Sequence, residues 1–258
     1  MPRFAANLSF LFQELPFLDR FAAAAAQGFT AVEFMFPYEC SAQDLRGALD
    51  DYGLALVLFN TAQGNWAAGE RGIAAIPGRE RAFDQSIEQA LQYTQVLGNR
   101  LIHVMAGLVA DGAERDTFVA NLARAANRAG DEGITLVIEP INTRDMPGYF
   151  LSRTHQAIDI LRDVARPNVG LQFDLYHRHI MDGDVLAGLE EARPFIRHMQ
   201  IASPPDRGEP DQGDLDFRML LAAIDASGYS GYIGLEYKPR GDTVAGLKWA
   251  KALGVKLG

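Results

Sequence analysis

Cysteine is almost missing: Cys40 alone among 258 residues excludes an internal disulfide. Its neighbours Glu39 and Ser41 offer no cation to stabilise a thiolate, so Cys40 reads as a passive packing or surface residue. Long apolar runs are missing as well. Stretches such as AAAAA at 22–26 fall far short of the roughly 20 apolar residues a helix needs to cross a bilayer. The opening MPRFAANLSFLFQEL has no small-residue cleavage site, so a soluble, cytoplasmic protein without membrane contact is expected. Positive charge is scarce: 24 Lys and Arg against 33 Asp and Glu leave a net charge of −9, which argues against nucleic-acid binding. A few local cations could still bind an anionic substrate inside a cleft. No GxGxxG follows the first β-rich run, which removes the main reason to expect a dinucleotide-binding sheet.

What is present is regular alternation. With 48% hydrophobic and 22% charged residues, the chain can bury a large core, and its length suits one α/β barrel of about 250 residues. Eight β-rich segments are predicted: FAANLSF (4–10), AVEFMF (31–36), ALVLFN (55–60), RLIHVM (100–105), ITLVIE (134–139), VGLQFD (169–174), IRHMQI (196–201) and GYIGLE (231–236). Helix-like segments such as RAFDQSIEQALQYTQVLG and RDTFVANLARAANRAGDEG lie between them. Gly28, Gly53, Gly98, Gly133 and Gly228 each stand just before a strand, where helices commonly end. Eight such units close most simply into a single-domain (β/α)8 TIM barrel over residues 1–258, with a doubly wound sheet as the alternative. Two connections are unusually long, 61–78 and 202–214. Both follow strands, on the face where barrel enzymes work, and they carry Trp66 and Arg207, so they are candidate lids.

The chemistry concentrates at the ends of the later strands. The fifth predicted strand ends in Glu139, the sixth in Asp174 and the eighth in Glu236, while the seventh delivers Gln200 near its end. Side chains at those points look into the barrel mouth. A strand-end acid can simply cap the following helix. Three converging carboxylates, however, repel one another in a low-dielectric cleft, and a divalent cation resolves the conflict. Three carboxylates and one amide oxygen form a hard donor set that suits Mg²⁺ or Mn²⁺ better than Zn²⁺. Further candidates for substrate contact are His177, three residues after Asp174; Arg207, whose fork of donors suits a carboxylate; and the weaker cation Lys238. His103 within the fourth strand, Glu33 in the second and Asn60 at the end of the third complete the set. For His103, a satisfied core histidine is an equally good reading.

In combination, LVIEPIN, GLQFDLYH, HMQIASPPDRGEPDQGDLDF and GYIGLEYKP, preceded by RFAANLSFLF and GFTAVEFMFPYE, resemble the hydroxypyruvate isomerase family, including 2-oxo-tetronate isomerases, of the xylose-isomerase-like barrel superfamily. The resemblance runs over nearly the whole chain. It implies that Glu139, Asp174, Gln200 and Glu236 bind the metal, that Glu139 and Glu236 also move the proton, and that His177 and Arg207 contact substrate. The related sugar epimerases carry His where this chain has Gln200. The implied activity is isomerisation of a small hydroxy 2-oxo acid through an enediolate, converting hydroxypyruvate to tartronate semialdehyde or a 2-oxo-tetronate to its 3-oxo isomer. The alternatives are a ketose 3-epimerase with the same machinery and a non-catalytic sugar- or metal-binding barrel. A multi-zinc endonuclease of the superfamily fits poorly with five scattered histidines and a charge of −9. A homo-oligomer is possible, with aromatic loops such as that around Trp66 as contact surfaces.

Overall fold

Seven of the eight predicted strands form as single segments in the computed structural model, which describes residues 2–258. They are β1 (Arg3–Asn7), β2 (Ala31–Glu33), β5 (Leu101–His103), β6 (Thr135–Ile138), β7 (Val169–Asp174), β8 (Ile196–Ile201) and β9 (Tyr232–Leu235). The third is interrupted at Val57 into β3 (Ala55–Leu56) and β4 (Leu58–Asn60). All pairings are parallel, in the order β3-β2-β1-β9-β8-β7-β6-β5-β4. The interruption does not open the sheet. Val57 N–H donates to Val32 at 2.9 Å, and Asn60 N–H to the Met35 carbonyl at 2.7 Å, so both halves of the third strand stay tied to the second and the barrel closes.

Helices wrap the outside for reasons readable in their spacing. In α3 (Glu80–Leu97), Phe83, Ile87, Ala90, Leu91, Thr94 and Leu97 are buried, which is one stripe at steps of three and four. Gly98 then stops the helix in the left-handed region, at φ 82°, its N–H returning to the Thr94 carbonyl at 2.8 Å. In α2 (Ala42–Asp51), the Ser41 hydroxyl accepts the Asp44 N–H at 3.0 Å and so caps the start, while Leu45 and Leu49 face inward. Truncating a stripe residue such as Phe83 to Ala would cost about 3–5 kcal/mol. The five glycines expected at helix ends all adopt positive φ. Among the described residues no helix is long and apolar enough to cross a membrane.

The barrel interior departs from the aliphatic filling usual for this architecture. Asn7, Glu33, His103, Gln172, His198 and Gln200 are all at most 2% exposed. Each comes from a different point of β1, β2, β5, β7 or β8, and together they make a polar floor beneath the strand ends.

Candidate active site

Above that floor lies a cavity of about 200 Å³. Its polar lining comes from Asn7, Asn60, His103, Glu139, Asp145, Gln172, His177, Gln200, Arg207 and Glu236, and its other wall is apolar, from residues including Phe34, Phe36, Met105 and Trp66. Asn60 and His103 are register partners on β4 and β5, and Asp174 and Gln200 on β7 and β8.

The carboxylates share a pattern: one oxygen is fixed and the other is offered. Asp174 does cap the following helix, α6 (Leu175–Asp182), but only through Oδ1, which accepts the Tyr176 N–H at 2.7 Å and the His177 N–H at 3.4 Å. Its Oδ2 is buried and has no hydrogen-bond partner among the described residues. Glu139 accepts Gln172 Nε2–H at 2.9 Å through Oε2, and its Oε1 is equally unpartnered. His177 Nε2 lies 3.7 Å from both free oxygens. Glu236 Oε1 is 2.5 Å from Arg207 Nη2, and Asn7 Nδ2 reaches Glu236 Oε2 at 3.5 Å.

Charge is unbalanced in this space. Burial pushes the Glu139 carboxyl well above the usual range, reinforced by Glu236 and Asp174. Burial likewise raises Glu236 to about 8 and Asp174 to about 6, in each case against the opposing pull of Arg207. Arg207 is the one cation among the cavity's described lining residues. Burial lowers its pKa, but the acids around it, Glu236 first, outweigh that and leave it raised. Its guanidinium lies 4.7 Å from the Phe10 ring centroid and 5.2 Å from that of Tyr176. One guanidinium cannot neutralise Glu139, Asp174 and Glu236 together, so the residues fit a divalent cation, with the two unpartnered oxygens as its first donors.

Glu139, Asp174 and His177 form one compact group, each offering a ligand atom within 4.8 Å of the others. Hydrogen bonding sets the role of the histidine. Asp145 N–H donates to Asn142 Oδ1 at 2.8 Å, which turns the Asn142 amide nitrogen toward His177 Nδ1, 2.6 Å away. The Asn142 backbone N–H also donates to Nδ1, at 3.3 Å. Nδ1 is therefore an acceptor and the ring proton sits on Nε2, facing the acids as a donor. Burial also holds His177 well below its ordinary pKa, hence neutral.

The other predicted residues divide. Asn60 lines the cavity, as does His103, whose ring nitrogens are both unpartnered among the described residues and whose pKa burial lowers to about 3. Glu33 lies beneath the cavity, its carboxylate bonded to Asn7 Nδ2 (3.0 Å), Gln200 Nε2 (2.7 Å) and His198 Nε2 (2.7 Å). Lys238 points away: its side chain is exposed on a separate shallow surface with Glu14 and Thr243, while its backbone N–H supports Arg207 at 2.7 Å. Gln172, His198, Asn7 and Asn142 were not anticipated. A signal existed for two of them, because a strand's period of two puts Gln172 on the face of Asp174 and His198 on the face of Gln200.

Strand order and site together define a parallel (β/α)8-barrel protein with a carboxylate-rich cavity at the C-terminal ends of its strands. A family model described as xylose isomerase-like TIM barrel matches residues 21–253, and the chain belongs to that family. It is 54% identical to a 2-oxo-tetronate isomerase of Cupriavidus necator, over 97% of this chain and 98% of the relative. It is 44% identical to a hydroxypyruvate isomerase of Escherichia coli, over 96% and 98% respectively. A crystal structure described as an AP endonuclease, family 2, from Brucella melitensis superposes with a TM-score of 0.95 at 47% identity, covering 98% of this chain and 99% of that one.

Proposed function

We propose that this chain is a metal-dependent isomerase that moves a proton between neighbouring carbons of a small hydroxy 2-oxo acid, hydroxypyruvate or a 2-oxo-tetronate. The names of its full-length relatives support an isomerase of small oxo acids. The observation that carries the mechanism is the pair of buried, unpartnered oxygens, Glu139 Oε1 and Asp174 Oδ2, grouped with His177 at the edge of a cavity of small-molecule size that Glu139 and His177 line. Glu139, Asp174, Gln200 and Glu236 would hold Mg²⁺ or Mn²⁺, the cations that an oxygen-only donor set prefers. When bound, such a cation would supply Lewis-acid polarisation of the substrate carbonyl and so acidify the neighbouring C–H.

The rest falls to the chain. One glutamate takes the carbon-bound proton as that C–H bond breaks, the other delivers a proton to the adjacent carbon as the new C–H bond forms, and the hydroxyl proton passes to the former ketone oxygen, with no external oxidant or reductant. The Nε2–H of His177 donates to a substrate oxygen. Arg207 faces the substrate's acidic end, and Phe36, Met105 and Trp66 exclude water. The endonuclease description of the Brucella structure does not transfer easily: a cavity of about 200 Å³ does not admit a duplex, and the net charge is −9.

The test is metal-loaded protein with hydroxypyruvate and four-carbon 2-oxo acids in deuterated water, followed by NMR. Turnover with solvent deuterium in the product carbon is expected, together with loss of turnover but intact circular dichroism in Glu139→Gln and Glu236→Gln. Wild-type activity in either variant would remove the glutamates from the mechanism. A product free of deuterium at the initial rate would replace proton transfer with a hydride shift, and no turnover of any of these acids would defeat the proposal.

A further inference from the structure

Gln172 stands in β7 between two site residues and is 1% exposed. Its Nε2 donates to Glu139 Oε2 at 2.9 Å and to Gln200 Oε1 at 2.6 Å. The orientation of this amide is imposed from below. The Glu33 carboxylate, itself held by His198 and Asn7, takes the amide nitrogen of Gln200 at 2.7 Å, so Gln200 presents its oxygen to Gln172. Glu139 Oε2 accepts from the same Gln172 nitrogen. The nitrogen of Gln172 is thus fixed between two acceptors and its carbonyl must point elsewhere. That Oε1 has no hydrogen-bond partner among the described residues, although the side chain lines the cavity. A buried carbonyl left unpaired is costly, and the donor that completes it has to come from the cavity.

Resting on the isomerase reading, we infer that Gln172 is a specificity-determining residue whose Oε1 accepts a hydrogen bond from a substrate hydroxyl that the proton transfer itself does not use. The reaction occupies two neighbouring oxygens. In hydroxypyruvate these are its only hydroxyl and its ketone, and with its carboxylate at Arg207 no donor is left for Gln172 Oε1. A four-carbon 2-oxo-tetronate has one more hydroxyl, at the terminal carbon, and that is a donor. His103 extends the same unsatisfied surface on the other side of Glu139. It is 1% exposed, with Nε2 3.7 Å from Glu139 Oε2 and both ring nitrogens unpartnered among the described residues.

The experiment compares a 2-oxo-tetronate with its 4-deoxy analogue, which lacks only the terminal hydroxyl, on metal-loaded wild type, Gln172→Met and Gln172→Glu. In wild type, kcat/KM for the hydroxylated acid should exceed that for the deoxy acid about tenfold or more, because a site built around a substrate hydroxyl rejects the analogue without it. Gln172→Met, similar in size, loses both the acceptor and the N–H on Glu139, so both acids should slow, but the hydroxylated acid about tenfold more, which brings the ratio to near one. Gln172→Glu keeps an acceptor but loses the N–H that steadies Glu139, so both acids should slow while the ratio persists. Equal losses on both acids in Gln172→Met would make Gln172 only a support for Glu139 and overturn the inference, as would a wild-type ratio near one. Calorimetric Kd values for the corresponding 2-hydroxy acids, which have no carbonyl to isomerise, give the same ratio without turnover. If no 2-oxo acid turns over while the hydroxylated 2-hydroxy acid still binds about tenfold tighter, the isomerase reading fails and the role of Gln172 stands. Equal Kd values with normal turnover would overturn the role of Gln172 and leave the isomerase reading standing.

Discussion

Arg207 Nη2 meets Glu236 Oε1 at 2.5 Å, and that arginine sits in the left-handed region at φ 57°, unusual for a side chain of its size. The conformation is held from several sides. Ser203 and Gly208 exchange backbone hydrogen bonds at 2.9 and 3.0 Å across the base of the loop, and Lys238 N–H donates to the Arg207 carbonyl. Buried Glu209 ties the same loop to Arg240, whose Nε lies 3.0 Å from Glu209 Oε2. A backbone fixed this firmly aims the guanidinium at Glu236, with its Nη1 3.5 Å from Asp145 Oδ2.

Arg207→Ala should therefore be costly in the metal-free protein. Both partners are about nine-tenths buried, and removing one member of such a pair leaves the other uncompensated, a loss of about 3–5 kcal/mol. Arg207→Lys keeps the charge but not the planar fork or the stacking on Phe10 and Tyr176, so an intermediate loss is expected. Urea unfolding in EDTA at about pH 9, where Glu236, raised to about 8, is ionised, reads both. Wild-type stability of Arg207→Ala under those conditions would show that the pair carries no weight.

Metal-free stability should fall as pH rises from 6.5 to about 8.5. Glu236 is raised to about 8 from an ordinary 4.5, and Glu139 is raised well above its ordinary value, both chiefly by burial. A carboxyl raised in the folded state binds more protons folded than unfolded, so its contribution is complete below 4.5 and is lost as pH climbs through the folded value. His103 and His177 are lowered, and their contribution runs the other way, lost as pH falls below 6.5. Above 6.5 those two drop out and the carboxylates decide the slope. Melting temperatures of EDTA-treated protein should decline over this window and flatten on adding Mn²⁺, which competes with the protons. A metal-free melting temperature that rises with pH there would contradict the assigned burial of these acids.

Glu33 separates a supporting role from substrate contact. It receives Asn7, Gln200 and His198 from below the cavity, so Glu33→Gln puts an amide N–H against groups that already donate. Each hydrogen bond to a charged group lost this way is worth about 1.5–3 kcal/mol. The expected result is a lower melting temperature and weaker metal binding in an equilibrium titration, because Gln200 is no longer held, with the order of preference among substrates unchanged. A change in KM with unchanged melting and metal affinity would put Glu33 in contact with substrate after all.

These cases show what the sequence could and could not carry. Barrel order was legible because helix, glycine and strand recur along the chain, and all five punctuating glycines do adopt positive φ. The acids at strand ends were legible because Glu139, Asp174 and Glu236 each interrupt an apolar run. Orientation was not. Nothing local distinguishes Glu33, turned into a floor of amides, from Asn60, which lines the cavity. Lys238 follows Glu236 by two residues, yet leaves the barrel where the strand has already ended, and its side chain turns to solvent. The tautomer of His177 depends on Asn142 and Asp145, 35 and 32 positions away, a long-range relationship that spacing does not encode.

The 61–78 segment supplies the last prediction. Trp66 is 40% exposed at the cavity mouth, with its ring 6.0 Å from Phe36 and the Arg71 guanidinium 3.7 Å from its centroid. The segment is anchored where Gly72, at φ 103°, passes so close to the chain just beyond β5 that an added Cβ would lie 2.5 Å from the Met105 carbonyl oxygen. Gly72→Ala must therefore lift the anchor and shift Trp66, with strain on the order of 1–3 kcal/mol. Substrate KM should rise about tenfold for each 1.4 kcal/mol of lost closure, with a smaller change in kcat, since no reacting group sits on this segment. Fluorescence gives an independent reading, because the only other tryptophan, Trp249, is 1% exposed in the core. Saturating substrate should shift the emission of wild type to shorter wavelength as Trp66 is covered, and should leave Trp66→Phe unchanged. An equal shift in Trp66→Phe, or a Gly72→Ala enzyme with wild-type KM, would mean that this segment does not close over the site.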